Sequence, residues 1–274
     1  MTRRAVEAVR SVRALGIPVI PVTSRGVLSV HEVLPFASFG PLVVCANGAV
    51  TIDQENGTII RERPINLGVA HALIEELRVA IPGVSLAAET TAAFFGESWV
   101  MKRSMRQSDN QVVKDTSESL TQAPLKLFAA APEMDLPFLA SAVTRTIGDR
   151  ATLSAKDSWV ELGAPGVSKA AALGEVSSLL GTEQASVLAV GDAENDLDML
   201  EWAGISAAVL NAVPSVLSAA DFIVPGNSDD GVAALLEELV ATDFVLKVRG
   251  VSPVSLLTQA RVYPADAIPV SYAD

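Results

Sequence analysis

The chain has 274 residues, enough for two domains at roughly 150 residues each. Lys and Arg number 20 against 32 Asp and Glu, a formal charge of −12. That balance excludes the clustered basic surface that nucleic acid requires, and suits a protein that handles metals or small polar ligands. Half of the residues are hydrophobic and 5 % are aromatic, which supplies a sizeable core and excludes disorder as the main state. The single Cys45 cannot close an internal disulfide or build a Cys-based zinc site, and it fits a reducing compartment. No run approaches the ~18 apolar residues of a membrane span. Glu7, Arg10 and Arg13 interrupt any secretory leader. A cytoplasmic, soluble protein is expected, as a monomer or homodimer.

Val6, Val9 and Val12 recur at three-residue spacing and predict a helix over residues 3–15, stopped by Gly16. Residues 17–22 read as a buried strand despite Pro18 and Pro21, and residues 41–45 as a second. Residues 51–53 and 58–63 flank Glu55-Asn56-Gly57, a hairpin signal. The middle block has a different texture. It predicts helices over 67–80 and 136–147, strands over 84–88, 98–101 and 125–130, and a closing hairpin from 151–155 and 159–162. Residues 103–123 are polar and read as an exposed excursion. From Ser168 strands and helices alternate again: helices over 169–180, 197–203 and 229–240, strands over 186–190, 205–210 and 222–224. The prediction is an α/β protein. Residues 1–65 and 163–242 form a core around a Rossmann-like, mostly parallel sheet, residues 66–162 an inserted α+β domain, and residues 243–274 a tail of unassigned placement. Such sheets bind ligands at the carboxyl ends of their strands, so the polar residues just after strands are the candidates.

Gly191-Asp192-Ala193-Glu194-Asn195-Asp196-Leu197-Asp198 follows an apolar strand directly. Four acids and an Asn at a strand-to-helix turn offer the oxygen ligands that Mg2+ prefers; a capped, solvated loop with Asp196 as N-cap is the alternative. An EF-hand does not fit, because Leu197 stands where the loop Gly belongs and Ala203 where the closing Glu belongs. Thr23, Ser24 and Arg25 end the strand over 17–22; two hydroxyls and a guanidinium can hold phosphate oxygens, and an ordinary turn explains them equally. Lys169 opens a helix, where a solvated surface residue is the plain reading. Asn47 and Gly48 follow the strand over 41–45 in what could be a simple turn.

Together these segments resemble the haloacid dehalogenase-like phosphatases, in particular the Cof-type group with a large cap. That family carries a Thr-Gly-Arg motif, an Asn-Gly-Ala turn, a Gly-Val-Ser-Lys-Gly stretch and a Gly-Asp-x-x-Asn-Asp motif. Here stand Thr23-Ser24-Arg25, Asn47-Gly48-Ala49, Gly166-Val167-Ser168-Lys169-Ala170 and Gly191 to Asp196, and Asn211-Ala212 and Asp230-Gly231-Val232-Ala233 are similar to its closing region. The resemblance implies that Thr23 binds a phosphate oxygen and that Lys169 neutralises the phosphate and orients the nucleophile. Asp192 would ligate Mg2+, with Asn195 and Asp196 supporting the metal and Lys169. Ser24, Arg25, Asn47, Gly48 and Asn211 would line the substrate site. The inserted domain would be the cap that closes over a small phosphorylated metabolite such as a sugar phosphate. Trp99, Lys102, Arg103 and Lys126 are its candidate contacts, and His31 and His71 read as structural or surface residues.

The family's nucleophile and acid/base residue lie in an Asp-x-Asp-Gly-Thr motif, which occurs nowhere in this sequence. Asp196-Leu197-Asp198 lies inside the metal motif, and Leu239 to Phe244 lacks the second Asp, the Gly and the Thr. The resemblance implies that the motif ends a central first strand, and vacating that strand would leave backbone groups unpaired at about 1–3 kcal/mol each. Three expectations follow: a natural start upstream of Met1, which makes an ordinary phosphatase; a true loss, which leaves a non-catalytic phosphate- or metabolite-binding protein; or a decayed gene. Residues 244–248 (Phe-Val-Leu-Lys-Val) are strand-like and are a candidate for the vacant place.

Overall fold

The computed structural model describes residues 1–30, 39–103, 110–156, 158–241 and 263–264. His31 and the strand expected over 244–248 lie outside them. The first helix, Arg3–Ala14, starts where the Thr2 hydroxyl accepts the Ala5 amide, and its apolar stripe Ala8, Val9 and Val12 is buried against Ala233 and Leu236 of the helix Gly231–Ala241.

Three sheets follow. β1 (Leu42–Cys45), β2 (Val50–Asp53) and β3 (Ile59–Glu62) form an antiparallel meander. The turn before β3 is closed by Asp53 and Asn56 side chains and by Gly57 at φ 72°, as the hairpin signal predicts. β4 (Ser85–Glu89), β5 (Phe94–Gly96), β6 (Asn110–Val112), β7 (Lys126–Ala130), β8 (Thr152–Lys156) and β9 (Trp159–Gly163) make a six-stranded sheet in the order β6-β5-β4-β7-β9-β8. The helices Leu67–Ala80 and Leu136–Ile147, capped by Asn66 and Asp135, pack on it. β10 (Leu188–Gly191), β11 (Ile205–Val209) and β12 (Phe222–Val224) are parallel, and β13 (Tyr263–Pro264) joins β12 antiparallel. The helices Lys169–Leu179, Leu197–Trp202, Pro214–Ala219 and Gly231–Ala241 complete this part.

The fold is mixed α/β with a parallel sheet, and it departs from the sequence reading in several places. Among the described residues, 17–22 make only one bridge, Val22 beside Val44, with Thr23 N–H donating to Val44 O at 2.9 Å and Val44 N–H to Pro21 O at 2.9 Å. Pro18 and Pro21 have no N–H to give a ladder. Residues 98–101 belong to a helix, Ser98–Arg103, rather than a strand; it begins beside β5, with Met101 N–H on Glu97 O and Val100 N–H on the Ser85 hydroxyl. β5 itself and the helix Pro214–Ala219 were not anticipated. Trp99 packs beside Phe94 and Phe128, and His71 shares a 3.0 Å hydrogen bond with Ser117.

The largest buried cluster runs without a break from Val43, Cys45 and Ile52 through Leu73, Ile74 and Leu77 to Leu86, Leu127 and Leu162. The meander and the six-stranded sheet therefore share one core. A second cluster fills the space between β10–β12 and their helices. Among the described residues no helix is long and apolar enough to cross a membrane.

Cys45 sits in the first cluster with no solvent exposure, and burial first, the Glu89 charge second, push its thiol up to about 12. The thiolate is the reactive form. A thiol reagent at pH 8 should therefore label Cys45 only after denaturant is added. Stoichiometric labelling of the native protein within minutes would contradict this placement.

Candidate active site

The turn after β10 is built by one carboxylate. Asp196 folds back so that its Oδ2 accepts the N–H groups of Asp192 and Ala193, both at 3.0 Å. Its Oδ1 meets Lys169 Nζ at 2.5 Å. Gly191 makes room for this, because a Cβ there would lie 2.6 Å from Asp196 Cβ. Lys169 and Asp196 are both buried. Lys169 is delivered by the first turn of its helix, whose N-cap Ser168 accepts the Ala171 N–H at 3.2 Å. Asp192 lies at the open end of the strand. Partial burial and the neighbouring Asp196 push its carboxyl above the usual carboxylate range, against the opposing charges of Lys169 and Lys156.

A second pair of turns faces it. Thr23 Oγ1 accepts the Arg25 N–H at 3.1 Å, which leaves the hydroxyl proton to be donated elsewhere. Asn47 N–H donates to Thr23 O at 3.1 Å and Ala46 N–H to Arg25 O at 2.7 Å, so the two turns are laced together. Residues 46–48 run through φ values of 52°, 57° and 98°. A Cβ on Gly48 would come 2.2 Å from Ser168 O, so Gly48 lets this turn lie directly under the start of the Lys169 helix. Asn47 Oδ1 accepts Asn195 Nδ2–H at 2.9 Å, and Asn47 Nδ2–H reaches Glu161 Oε2 at 3.1 Å.

Thr23, Ser24, Arg25, Asn47, Gly48, Lys169, Asp192, Asn195 and Asp196 thus belong to one network of turns at one end of the strands. Asn211 joins through its loop, where Val213 N–H donates to Asp192 O at 2.9 Å, while the Asn211 side chain itself accepts the Asn227 N–H at 2.8 Å. Lys102 is exposed and Arg103 closes the helix Ser98–Arg103. Lys126 is a correction. It is 3 % exposed and donates to Ser24 O at 2.8 Å and Glu161 Oε2 at 3.1 Å, with Glu89 Oε2 at 3.3 Å, so it cannot serve as a solvent-facing substrate contact.

Glu89 and Glu161 escaped the sequence reading, and so did Lys156, exposed at the end of β8 where its charge is felt by Asp192. A signal existed for Glu161 and for the buried role of Lys126. Glu161 stands inside the apolar run Trp-Val-Glu-Leu, and Lys126 inside Pro-Leu-Lys-Leu-Phe; charges in buried strands are paired.

Among the described residues no group of three or more His, Cys, Asp or Glu side chains is assembled to hold a metal ion. Asp196 is committed to Lys169 and to two backbone amides. Asp198 accepts the Ala170 and Met199 amides and Glu194 Oε1 the Ser215 hydroxyl, which leaves the Asp192 carboxylate, Asn195 Oδ1 and the second Glu194 oxygen among the side-chain oxygens of the turn. This all-oxygen, low-charge set fits Mg2+, which keeps several waters and takes one or two carboxylates together with substrate phosphate.

Residues 1–236 match the family model of the haloacid dehalogenase-like hydrolases, and the chain belongs to that family. It is 27 % identical over 260 residues to the Bacillus subtilis (strain 168) protein named "Putative phosphatase YxeH", covering 88 % of this chain and 92 % of that protein. Over 132 residues it is 31 % identical to the 5-amino-6-(5-phospho-D-ribitylamino)uracil phosphatase YitU of the same organism, 47 % of this chain and 49 % of that one. The crystal structure of the subclass IIB sugar phosphatase BT4131 superposes with a TM-score of 0.74 at 16 % identity, covering 87 % of this chain and 92 % of the other, which shows a shared fold.

Two outcomes test this geometry. Asp192 has its carboxyl raised, so its charged form is disfavoured in the folded state. At pH 7 the charge destabilises, and below the ordinary carboxylate range the effect vanishes because folded and unfolded forms are both neutral. Asp192→Asn should therefore melt slightly higher than wild type at pH 7 without metal, lose that advantage near pH 3, and lose any stabilisation by Mg2+; thermal melts at both pH values check it. Gly48→Ala should cost about 2–5 kcal/mol, from backbone strain at φ 98° plus overlap with Ser168 O, read by denaturant unfolding.

Proposed function

We propose that this protein is built as a Mg2+-dependent phosphoester hydrolase that takes a small phosphorylated metabolite, such as a sugar phosphate, in the cytoplasm. The observation that supports it best is the convergence of the Thr23 turn, Lys169 and the Asp192–Asp196 turn at one strand edge, within a family of hydrolases whose relatives include phosphatases. Bound at Asp192 and Asn195, Mg2+ would supply charge neutralisation for the phosphate. Thr23 Oγ1 donates its proton to a phosphate oxygen. Lys169, held by Asp196, adds a fixed positive charge from a buried stem, which is stronger there than in water. Residues 66–162 act as the cap, excluding water and choosing the substrate, with Lys156 facing the site from β8.

The sequence carries no Asp-x-Asp-Gly-Thr motif, and this favours a second reading for the chain as given: phosphate and metal binding without turnover. The two readings separate in one assay series. Inorganic phosphate with Mg2+ should raise the melting temperature of the 274-residue chain, while no phosphate is released from a panel of sugar phosphates. The N-terminal peptide of the protein from its own cells, read by mass spectrometry, decides whether the natural chain carries the motif and turns over. Absence of stabilisation by phosphate plus Mg2+ in the chain as given would overturn both readings.

A further inference from the structure

A polar chain leads out of the candidate active site into the six-stranded sheet. Asn195 Nδ2–H donates to Asn47 Oδ1 at 2.9 Å, Asn47 Nδ2–H donates to Glu161 Oε2 at 3.1 Å, and Lys126 Nζ donates to the same Oε2 at 3.1 Å. Trp159 Nε1–H approaches Oε1 at 3.4 Å. Glu161 is 6 % exposed and lies 114 residues along the chain from Asn47.

The chemistry of this chain is directional. An amide has one donating and one accepting end, and nothing local fixes which way it faces. Glu161 ends in two oxygens, and Lys126 Nζ and Trp159 Nε1–H already donate to them, so it meets Asn47 as an acceptor. Asn47 must therefore turn its NH2 to Glu161 and its oxygen to Asn195. Asn195 must then spend its NH2 on Asn47. What remains is Asn195 Oδ1, and among the described residues no donor is hydrogen-bonded to it. It is the acceptor that the network leaves unused, three residues along the same turn from Asp192. The backbone also bears a cost here. Ala46 and Asn47, neither of them glycine, are held in the left-handed region at φ 52° and 57°, as happens where surrounding contacts over-determine a conformation.

We propose that Glu161 is a positioning residue for the cation site: acting through Asn47, it fixes the orientation of the Asn195 amide so that Oδ1 is presented as an oxygen ligand, or as the acceptor for a metal-bound water. The proposal rests on the Mg2+ reading above. It couples the six-stranded sheet to the metal turn, so that displacement of β9 releases the amide and weakens the site.

The test is Mg2+ binding, read by calorimetry and by side-chain amide NMR of the full chain. In Glu161→Gln the new carboxamide sets an N–H against either Trp159 or the Lys126–Asn47 side, and the orientation is no longer enforced. Mg2+ should bind about tenfold more weakly, the size of effect usual for partners that orient metal ligands. Trp159→Phe keeps the Glu161–Asn47 bond and should bind Mg2+ as wild type does. In the wild type itself, the Asn47 and Asn195 NH2 protons should exchange slowly with water, and those of Asn195 should shift on adding Mg2+; this reading stands even where a variant fails to fold. Wild-type Mg2+ affinity in folded Glu161→Gln, or fast exchange of both amides in the wild type, overturns the proposal and leaves the functional reading intact. A wild-type chain without any Mg2+ response, or one whose response survives Asp192→Asn, overturns the metal reading and this proposal with it.

Discussion

The Lys169–Asp196 pair is the interaction on which the rest of the site depends. Both side chains are buried, and neither charge is tolerable there alone; breaking such a pair by removing one partner costs about 3–5 kcal/mol. The pair is also structural for the turn, since the second oxygen of Asp196 satisfies the Asp192 and Ala193 amides. Placing the ammonium and folding the acidic turn are therefore one event. Gly191 permits it by leaving the space that Asp196 enters, and Gly48 permits the approach of the Lys169 helix from the other side. The consequence for Asp192 is direct. With Asp196 spent on Lys169, Asp192 is left facing outward, and its proximity to Asp196 is part of what makes its charge unfavourable.

A second ionic cluster, Glu89, Lys126 and Glu161, does for the six-stranded sheet what the first does for the turn. Lys126 Nζ has Ser24 O, Glu161 and Glu89 within 3.3 Å, so the ammonium spans from β7 to the backbone of the Thr23–Arg25 turn. Glu89 presses on Gly26, where any Cβ would collide with its carboxylate. The position of the sheet over the Thr23 turn is thereby specified by polar contacts as well as by the shared apolar core, and polar contacts of this kind tolerate far less misplacement than packed methyl groups.

Where periodicity and capping agreed, the fold was legible. The helices Leu67–Ala80 and Leu136–Ile147 start at Asn66 and Asp135 caps and end where the reading places them. Three of the four motif turns, at Asn47, Lys169 and Asp192, also fall at strand ends or helix starts, as the alternation of elements requires, while the Thr23 turn follows the single bridge at Val22. Legibility failed where tertiary partners decide. Residues 98–101 are apolar enough for a strand, but the Ser85 hydroxyl and Glu97 carbonyl take up their amides in a helical turn. Asn47 read as a turn residue. Its importance comes from Glu161, more than a hundred positions away, and no local pattern encodes that pairing.

The same reasoning bears on how the site stays assembled. Along residues 19–23, Val19 O, Pro21 O and Thr23 N–H face Gly40 and Val44 of the β1 side, so the backbone of Ile20 and Val22 faces the other way. Among the described residues neither that edge nor the outer edge of β10 has a ladder partner. Among the described residues, the meander that carries Asn47 and the parallel strands that carry Asp192 are therefore not joined by backbone pairing there. They are joined by Val22, which packs into both neighbouring clusters, by the helix Lys169–Leu179 lying across β1, and by the Asn47–Asn195 bond. Side-chain contacts yield more readily than a ladder. The turns of the site are thus held by the polar groups that define its chemistry, and loosening any one of them loosens the relation between the two halves of the core.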